Sequence, residues 1–572
     1  MALKRYSLSA RSRLASWFNG TEFDPKKLRG LLMGILFNIT IGEVCCYRLI
    51  KQDIKAGELP FYTADVMIVI FAIFEAVAAP VVSWWGFRKR RMLLTWYTVA
   101  AFVCSISWFL LPEKMERQES ELCNAANSAN NIGFVGTSPR TAVRLVIVSI
   151  SCIIFILTRV VCWSHGIAYS DEYAPARTSM HYGVLLLARV LPFFLGHKTL
   201  TGMTENNIIF QIVLLLLGFS SNFLQLPRAI PKEAPLVDGV QMTALSLENR
   251  GLCKSIGRVL YNPVAMTLIF STGLTTASVW GYGYYELDII KVKFNLLPHT
   301  TIYEFFAEIG TCPFIVVAVA YAGVVFSAPV LMEFCKLKAL KQAVGMSILM
   351  FLVYIIMTAM PNCETGNIAG FVNGDYGHPE CSLSCNCKPQ WDEYKPVCAV
   401  DDMITYMSPC HAGCSESQEI NGIQVYSNCT CAGGGRVLER ACGDASCRSA
   451  HLLYSLLYYI LVTLAILVFQ AQGVLLLRSV DPRDKSVAMG VAFSVVAIMT
   501  FVVGQLSFYG LQVFTCRWFE DGKCHLQSEA FPYILGATCA FLMFTSIMTT
   551  ITSWQFFRIT NRNKTSILVT RL

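Results

Sequence analysis

Apolar runs of about 20 residues, the length an α-helix needs to cross about 30 Å of hydrocarbon, recur along this chain. They begin near Leu31, Val66, Met92, Leu145, Tyr182, Ile208, Val264, Ile309, Gln342, Leu452, Val487 and Phe531, which predicts twelve membrane-spanning helices. Glu43 and Arg48 interrupt the first run, and the competing reading of that segment is an amphipathic helix lying on the membrane surface. A polar stretch from Pro227 to Pro263, with Lys232, Glu233, Asp238, Glu248 and Arg250, separates the sixth run from the seventh. Six helices, a linker and six helices is the plan of a two-bundle transporter with its substrate path between the bundles. A channel or a receptor can have as many spans.

The expected organisation is an N-terminal tail (1–30), a first six-helix bundle (31–227), a linker (228–263), helices seven to nine (264–361), a polar loop (362–451), helices ten to twelve (452–556) and a C-terminal tail (557–572). Composition agrees: of 572 residues 54% are hydrophobic and 15% charged, too oily for a soluble enzyme, a disordered scaffold or a coiled-coil rod. The expected solvent is the lipid bilayer. The net charge of +8 is dispersed and forms no basic domain, so nucleic acid is not an expected partner. Clusters at Arg88-Lys89-Arg90-Arg91, Lys336/Lys338/Lys341, Arg478/Arg483/Lys485 and Arg558/Arg562/Lys564 place those loops, and both termini, on the cytoplasmic side. The N-terminal segment carries Lys4, Arg5, Arg11 and Arg13 without the apolar core of a cleaved secretory signal, and reads as a cytoplasmic tail.

This orientation sends the 362–451 loop outside, where thiols oxidise. Ten of the 23 cysteines crowd into its 381–447 stretch: Cys381, Cys385, Cys387, Cys398, Cys410, Cys414, Cys429, Cys431, Cys442 and Cys447. They are expected to be bridged, with no metal bound, and Cys516 with Cys524 to close a separate small loop. Cys363 is then left over, with Cys123 as its candidate partner. Asn428, in the sequon Asn428-Cys429-Thr430, is the expected glycosylation site; the sequons at Asn19 and Asn563 fall in the tails and that at Asn38 in the first helix.

The spacing Tyr394-x-Pro396-Val397-Cys398 with Thr405-Tyr406-x-x-x-Cys410 resembles a Kazal module, too small for a core of its own and held by disulfides. A Kazal-like loop between the ninth and tenth of twelve helices resembles the organic anion transporting polypeptides, a branch of the major facilitator superfamily. Leu477-Arg478-Ser479-Val480 with Ser486-x-Ala488-x-Gly490-Val491-x-Phe493, Gly166-x-x-Tyr169-x-Asp171-Glu172, and Pro361-Asn362-Cys363 with Ala369-Gly370 are similar to that family too, as is the basic turn after Ser83-Trp84-Trp85-Gly86. The resemblance runs from about Leu31 to Phe556. It implies an all-α membrane protein of twelve transmembrane helices in two six-helix bundles with a Kazal-like extracellular module, sited in the plasma membrane. Departures mark a divergent member: Leu214 to Leu217 stand where tryptophans are expected, Ala497 where the family has an arginine, and Val503 and Gln505 where it has prolines.

No P-loop, Gly-x-Ser-x-Gly or His-Glu-x-x-His occurs, so neither an enzyme nor a cofactor is expected. Ionisable groups inside the membrane are costly and mark a pathway or an internal pair. Glu43, Glu75, Arg159 and Arg189 all fall mid-helix in the first half. One reading is two mutually neutralising Glu–Arg pairs; the other is an arginine, Arg189 before Arg159, that faces the cavity and replaces the cation lost at Ala497. Trp280, Tyr282, Tyr284 and Tyr285, alternating with Gly281 and Gly283, offer rings to an amphipathic ligand, or else anchor the helix at the interface. Gln505 adds a polar group, and His165 and His197, near helix ends, are either pH-coupling groups or merely solvated.

The expected function is secondary transport of bulky amphipathic organic anions by sodium-independent exchange or facilitated uptake. The resemblance implies sterol-conjugate, bile-salt-like, hormone-like or xenobiotic substrates, with an exchanged anion such as bicarbonate. The alternative is a non-transporting relative whose outer module binds a protein or a protease, the candidate reactive loop being Lys388-Pro389-Gln390-Trp391.

Overall fold

The computed structural model describes residues 25–55, 59–60, 62–85, 90–107, 122–123, 138–173, 175–190, 251–294, 314–332, 336–363, 367–372, 375–385, 387, 396–420, 423–433, 435–442, 446–520 and 523–569. The N-terminal helices are α1 (Pro25–Lys55), α2 (Thr63–Trp85), α3 (Arg90–Ser107), α4 (Pro139–Val161, prolonged through a π-helical turn at Cys162–Ile167 and a last turn at Ala168–Tyr173) and α5 (178–190). The C-terminal ones are α6 (Leu252–Leu260), α7 (Pro263–Tyr284), α8 (Glu286–Phe294), α9 (Phe314–Met332), α10 (Lys336–Ala359), α11 (Ser446–Ser479), α12 (Lys485–Val496, continuing through a π-helical stretch Ala497–Gly504 into Gln505–Phe514) and α13 (Phe531–Val569).

Among the described residues, seven helices are long and apolar enough to cross a membrane. Met92–Ala101 and Val317–Ala328 are shorter apolar segments within α3 and α9. The sixth apolar run, near Ile208, lies outside the described residues, as do His197 and the basic turn at 86–89. Some expected boundaries move. The predicted linker ends in a helix, α6; the predicted loop yields its last residues to α11, which starts at Ser446; and the predicted C-terminal tail is helical to Val569, because α13 runs on past its apolar stretch.

Lipid-facing surfaces explain the exposed apolar rows on α2, where Val66, Ile70, Ile73 and Val77 recur every three to four residues. Between helices the contacts are small and polar. Ser271 and Thr275 of α7 interlock with Ser546 and Thr550 of α13 through hydroxyl bonds of 2.6–2.8 Å, and Gln472 of α11 donates to Ser271 at 2.9 Å. With little apolar driving force between helices in lipid, such small polar residues let backbones approach and bond. Gly281 is part of the same logic, since a Cβ there would run into the Phe508 ring of α12.

The cysteine-rich module forms a six-stranded sheet in the order β1-β5-β4-β8-β7-β6, from β1 (Asn367–Ile368), β4 (Val397–Ala399), β5 (Ile404–Tyr406), β6 (Cys414–Ile420), β7 (Ile423–Cys429) and β8 (Val437–Leu438), while β2 (Phe371–Val372) and β3 (Asp375–Tyr376) pair separately. Its buried core is little more than Val397, Ala399, Tyr406, Ala412, Tyr426 and Val437 around half-cystines, so disulfides carry the fold. Four pair within the block: Cys381–Cys431, Cys387–Cys410, Cys398–Cys442 and Cys414–Cys429. The expected pairing is corrected at the other two. Cys385 pairs with Cys123, which lies between α3 and α4 in the sequence, and Cys447 pairs with Cys363. Cys516–Cys524 staples the hairpin β9 (Cys516–Glu520) and β10 (Lys523–Gln527) between α12 and α13. The candidate reactive loop, 388–391, lies outside the described residues.

Asn428 is exposed with φ of 56°, its side chain donating to Ser415 at 2.7 Å, whereas Asn38 is buried against the Gly34 carbonyl of its own helix. Asn428→Gln should therefore abolish the glycosidase-sensitive gel shift of the whole chain, and a shift that persists would place glycans elsewhere.

The module rests on the hairpin through rings: Tyr376 lies 4.4 Å from Trp518, and His378 and His411, stacked on each other at 5.2 Å, lie 5.7 and 6.0 Å from the same indole. Burial first, and then His378, push the His411 imidazole down to about 4. The neutral ring is the one the fold accommodates. Its contribution is whole above pH 6.5, declines as pH falls from 6.5 to about 4, and is absent below, a swing of about 3 kcal/mol. Hydrogen exchange on the full chain should show β4 and β5 opening faster at pH 5 than at pH 7, and His411→Phe should remove most of that difference.

Candidate functional site

Four ionisable side chains from four helices meet in the N-terminal set. Arg159 of α4 reaches Glu43 of α1 at 2.9 Å with Nη1 and Glu75 of α2 at 2.7 Å with Nη2. Arg189 of α5 donates from Nη2 to the second oxygen of Glu43, and from Nη1 to Thr40 Oγ1 at 2.6 Å. Two carboxylates and two guanidiniums thus form a neutral chain, Glu75–Arg159–Glu43–Arg189. Its ends differ. Glu75 is buried to 4% side-chain exposure and Arg159 to 14%, while Glu43 and Arg189 keep 23% and 22%. A second pair, Asp53–Arg144 at 2.9 Å, is buried on both sides and ties α1 to α4.

Glu43 lies one turn, about 6 Å along the helix, before Tyr47. Tyr47 belongs to a polar network that joins the N-terminal to the C-terminal helices. Tyr284 Oη of α7 donates to Asp65 Oδ1 of α2 at 2.8 Å, Gln505 Nε2 of α12 donates to the same oxygen at 2.9 Å, and Trp280 Nε1 donates to Gln505 Oε1 at 2.9 Å. Tyr47 Oη approaches Tyr284 Oη at 3.5 Å. Trp280 stacks on Tyr284 with centroids 5.4 Å apart and meets the edge of Phe501 at 4.9 Å. This network stands at the end of the helices that carries the module.

At the opposite end, the side chain of Asp171, at the foot of α4, is fully buried and pairs with Arg478 of α11 at 3.0 Å and with Lys485 of α12. Arg478 also donates to the Pro175 carbonyl at 2.9 Å, and Arg258 of α6 holds Asp484 with two bonds of 2.6 and 2.8 Å. The two sets of helices are fastened at both ends, by neutral donors on a carboxylate near the module and by full ion pairs away from it.

The sequence-predicted residues divide accordingly. Glu43, Glu75, Arg159 and Arg189 come together, and Trp280 with Gln505 forms the second group. Tyr282 does not join it, and Tyr285 meets it through the edge of the Tyr284 ring at 5.0 Å: each is 2% exposed, Tyr282 against Tyr354 and Tyr458, Tyr285 against Phe508 and Phe531 as well. The aromatic stretch also ends its helix instead of lying well inside it, since α7 stops at Tyr284 and Tyr285 caps it. His165 is not solvated; it is fully buried in the π-helical turn, 3.1 Å from the Val82 carbonyl. Asp65 and Tyr47 escaped sequence reading, Asp65 because it sits one residue ahead of the apolar run. The i, i+4 spacing of Trp280 and Tyr284 was the available signal that these two share a face while Tyr282 points away.

The sequence model of the Organic Anion Transporter Polypeptide (OATP) family matches residues 210–533, which takes in Trp280, Gln505 and the module but stops short of the four-residue ion cluster. The mouse solute carrier organic anion transporter family member 2B1 is 26% identical over 261 residues, 43% of this chain and 36% of that protein. The human member 2B1 is 34% identical over 149 residues, 24% and 21%, and the Drosophila melanogaster member 74D is 28% identical over 237 residues, 38% and 27%. The chain thus spans about a third of the length of these curated relatives, or less. Among solved structures, the major facilitator superfamily proton:xylose symporter XylE aligns over 95% of this chain and 96% of its own at 12% identity and a TM-score of 0.45. With the family's sequence model covering more than half of its length, the chain belongs to the organic anion transporter polypeptide family.

Proposed function

We propose that the chain is a secondary transporter of bulky amphipathic organic anions, such as sterol conjugates or bile-salt-like, hormone-like and xenobiotic anions, taking them up across the plasma membrane by alternating access. The module and hairpin face outward and both termini face the cytoplasm, with sodium-independent exchange, bicarbonate being one candidate counter-anion, or facilitated uptake as the mode. The observation that carries this reading is the shared carboxylate of Glu43. Arg159 keeps one of its oxygens, so Arg189 can exchange the other for a substrate anion without leaving Glu43 stranded in the membrane. Arg189 then supplies the positive field, Arg159 and Glu75 the fixed frame, and Trp280 the apolar platform.

In this reading the fastening at Asp171 closes the cytoplasmic side while the one at Asp65 closes the outer side, and transport opens them in turn. The test is uptake of a fluorescent organic anion by cells displaying the chain. Saturable uptake above that of mock-transfected cells, blocked by other amphipathic anions, is expected; surface-displayed chain with no uptake of any such anion would refute the reading.

A further inference from the structure

The Asp65 network has a chemistry that the ion cluster does not share. Gln505 is oriented without ambiguity: the Trp280 indole nitrogen only donates, so the amide oxygen must face it and the amide nitrogen must face Asp65. Tyr284 Oη and Gln505 Nε2 therefore present two donors, at 2.8 and 2.9 Å, to one carboxylate oxygen. Both donors belong to the C-terminal helices and the carboxylate to the N-terminal ones. The stacked pair Trp280–Tyr284, edged by Phe501, walls the donors with half-buried aromatic surface. A pair of neutral donors beside a flat apolar wall is the receptor that an amphipathic carboxylate or sulfate requires.

We infer that Tyr284 and Gln505 form a head-group subsite for the transported anion, and that Asp65 fills it as an internal anion while the module side is closed. The inference rests on the transport reading above and adds to it a second anion position, one turn of α1 nearer the module than Arg189. It also assigns the closing mechanism. Asp65 and the substrate compete for the same donors, so the substrate opens the path by displacing a carboxylate of its own kind, and Asp65 returns to the donors once the anion has moved on toward Arg189. Placing a fixed carboxylate here also keeps the buried Gln505 amide and the half-buried Tyr284 hydroxyl satisfied when no anion is present.

The experiment measures KM for the fluorescent anion, normalised to surface abundance, in the wild type, Asp65→Ala, Asp65→Asn, and Asp65→Ala combined with Tyr284→Phe. Removing the internal competitor should lower KM about tenfold in Asp65→Ala and by a smaller factor in Asp65→Asn, which keeps the shape and loses the charge. Adding Tyr284→Phe should reverse that gain, while uptake of a neutral analogue with the same ring system should not gain affinity in any Asp65 variant. Wild-type uptake with an unchanged or raised KM in both Asp65 variants would overturn the inference and leave the transport reading standing. Should Asp65→Ala fail to reach the surface, Asp65→Asn alone decides, because an unchanged KM there is already contrary. A wild type that moves no anion would instead remove the transport reading itself.

Discussion

Arg159→Gln should be retained inside the cell, whereas Arg189→Gln should reach the surface and lose affinity for its anion. Arg159 is the link between Glu43, which also pairs with Arg189, and Glu75. Without it the 4%-exposed carboxylate of Glu75 loses the one ion pair it makes among the described residues, at a cost of about 3 to 5 kcal/mol, a large share of the 5 to 15 kcal/mol that usually holds a domain together. Arg189 stands at the open end of the chain of charges, and its removal leaves Glu43 still paired to Arg159. Its loss should appear as a KM raised about tenfold or more, as expected for one charge-assisted contact. A compensating pair sharpens the distinction: Arg159→Gln with Glu75→Gln should recover part of the lost surface abundance, since the charges leave together. If Arg189→Gln is retained and Arg159→Gln is not, the division of roles between the two arginines is reversed.

Asp171→Asn should reduce uptake by more than tenfold with surface abundance within about twofold of the wild type. Among the described residues, Asp171 is the carboxylate that pairs with both Arg478 and Lys485, and its side chain is fully buried. Asparagine fits the same space but leaves two cations facing a neutral group, so the state closed at that end loses population relative to the state open there. Arg258–Asp484 keeps α6 attached to the foot of α12, which is why the fold should survive. The signature is a change in the open-closed balance: a cysteine placed near Arg478 should become more reactive toward a permeant thiol reagent. Unchanged uptake in Asp171→Asn would show that this fastening is not part of the cycle.

Length and apolarity made most of the helices legible, as α2 shows: the run starting near Val66 becomes a helix from Thr63 to Trp85. The same criterion hid Asp65, because a carboxylate in the first turn, favourable against the helix dipole, reads as the edge of a span instead of part of a site. The charged quartet was legible because ionisable groups in apolar runs are rare, but the sharing of Glu43 between two arginines depends on how four helices approach, which no linear pattern encodes. Disulfide partners were the least legible. Cys385 and Cys123 are 262 residues apart, and only the folded module brings Cys123 against Cys414, whose carbonyl accepts from Cys123 N at 2.7 Å. Face selection in α7 was available and unused: helical period separates Trp280 and Tyr284 from Tyr282, which explains why one tyrosine meets the network and the other packs into the C-terminal core.

If this chain alone moves amphipathic organic anions across a bilayer, counterflow with purified protein in liposomes will show it most directly. Vesicles preloaded with unlabelled anion should accumulate a labelled one transiently above equilibrium, in the absence of sodium, and Asp171→Asn protein should show a much smaller overshoot. Wild-type vesicles that retain folded, disulfide-intact protein yet behave as protein-free vesicles would contradict it.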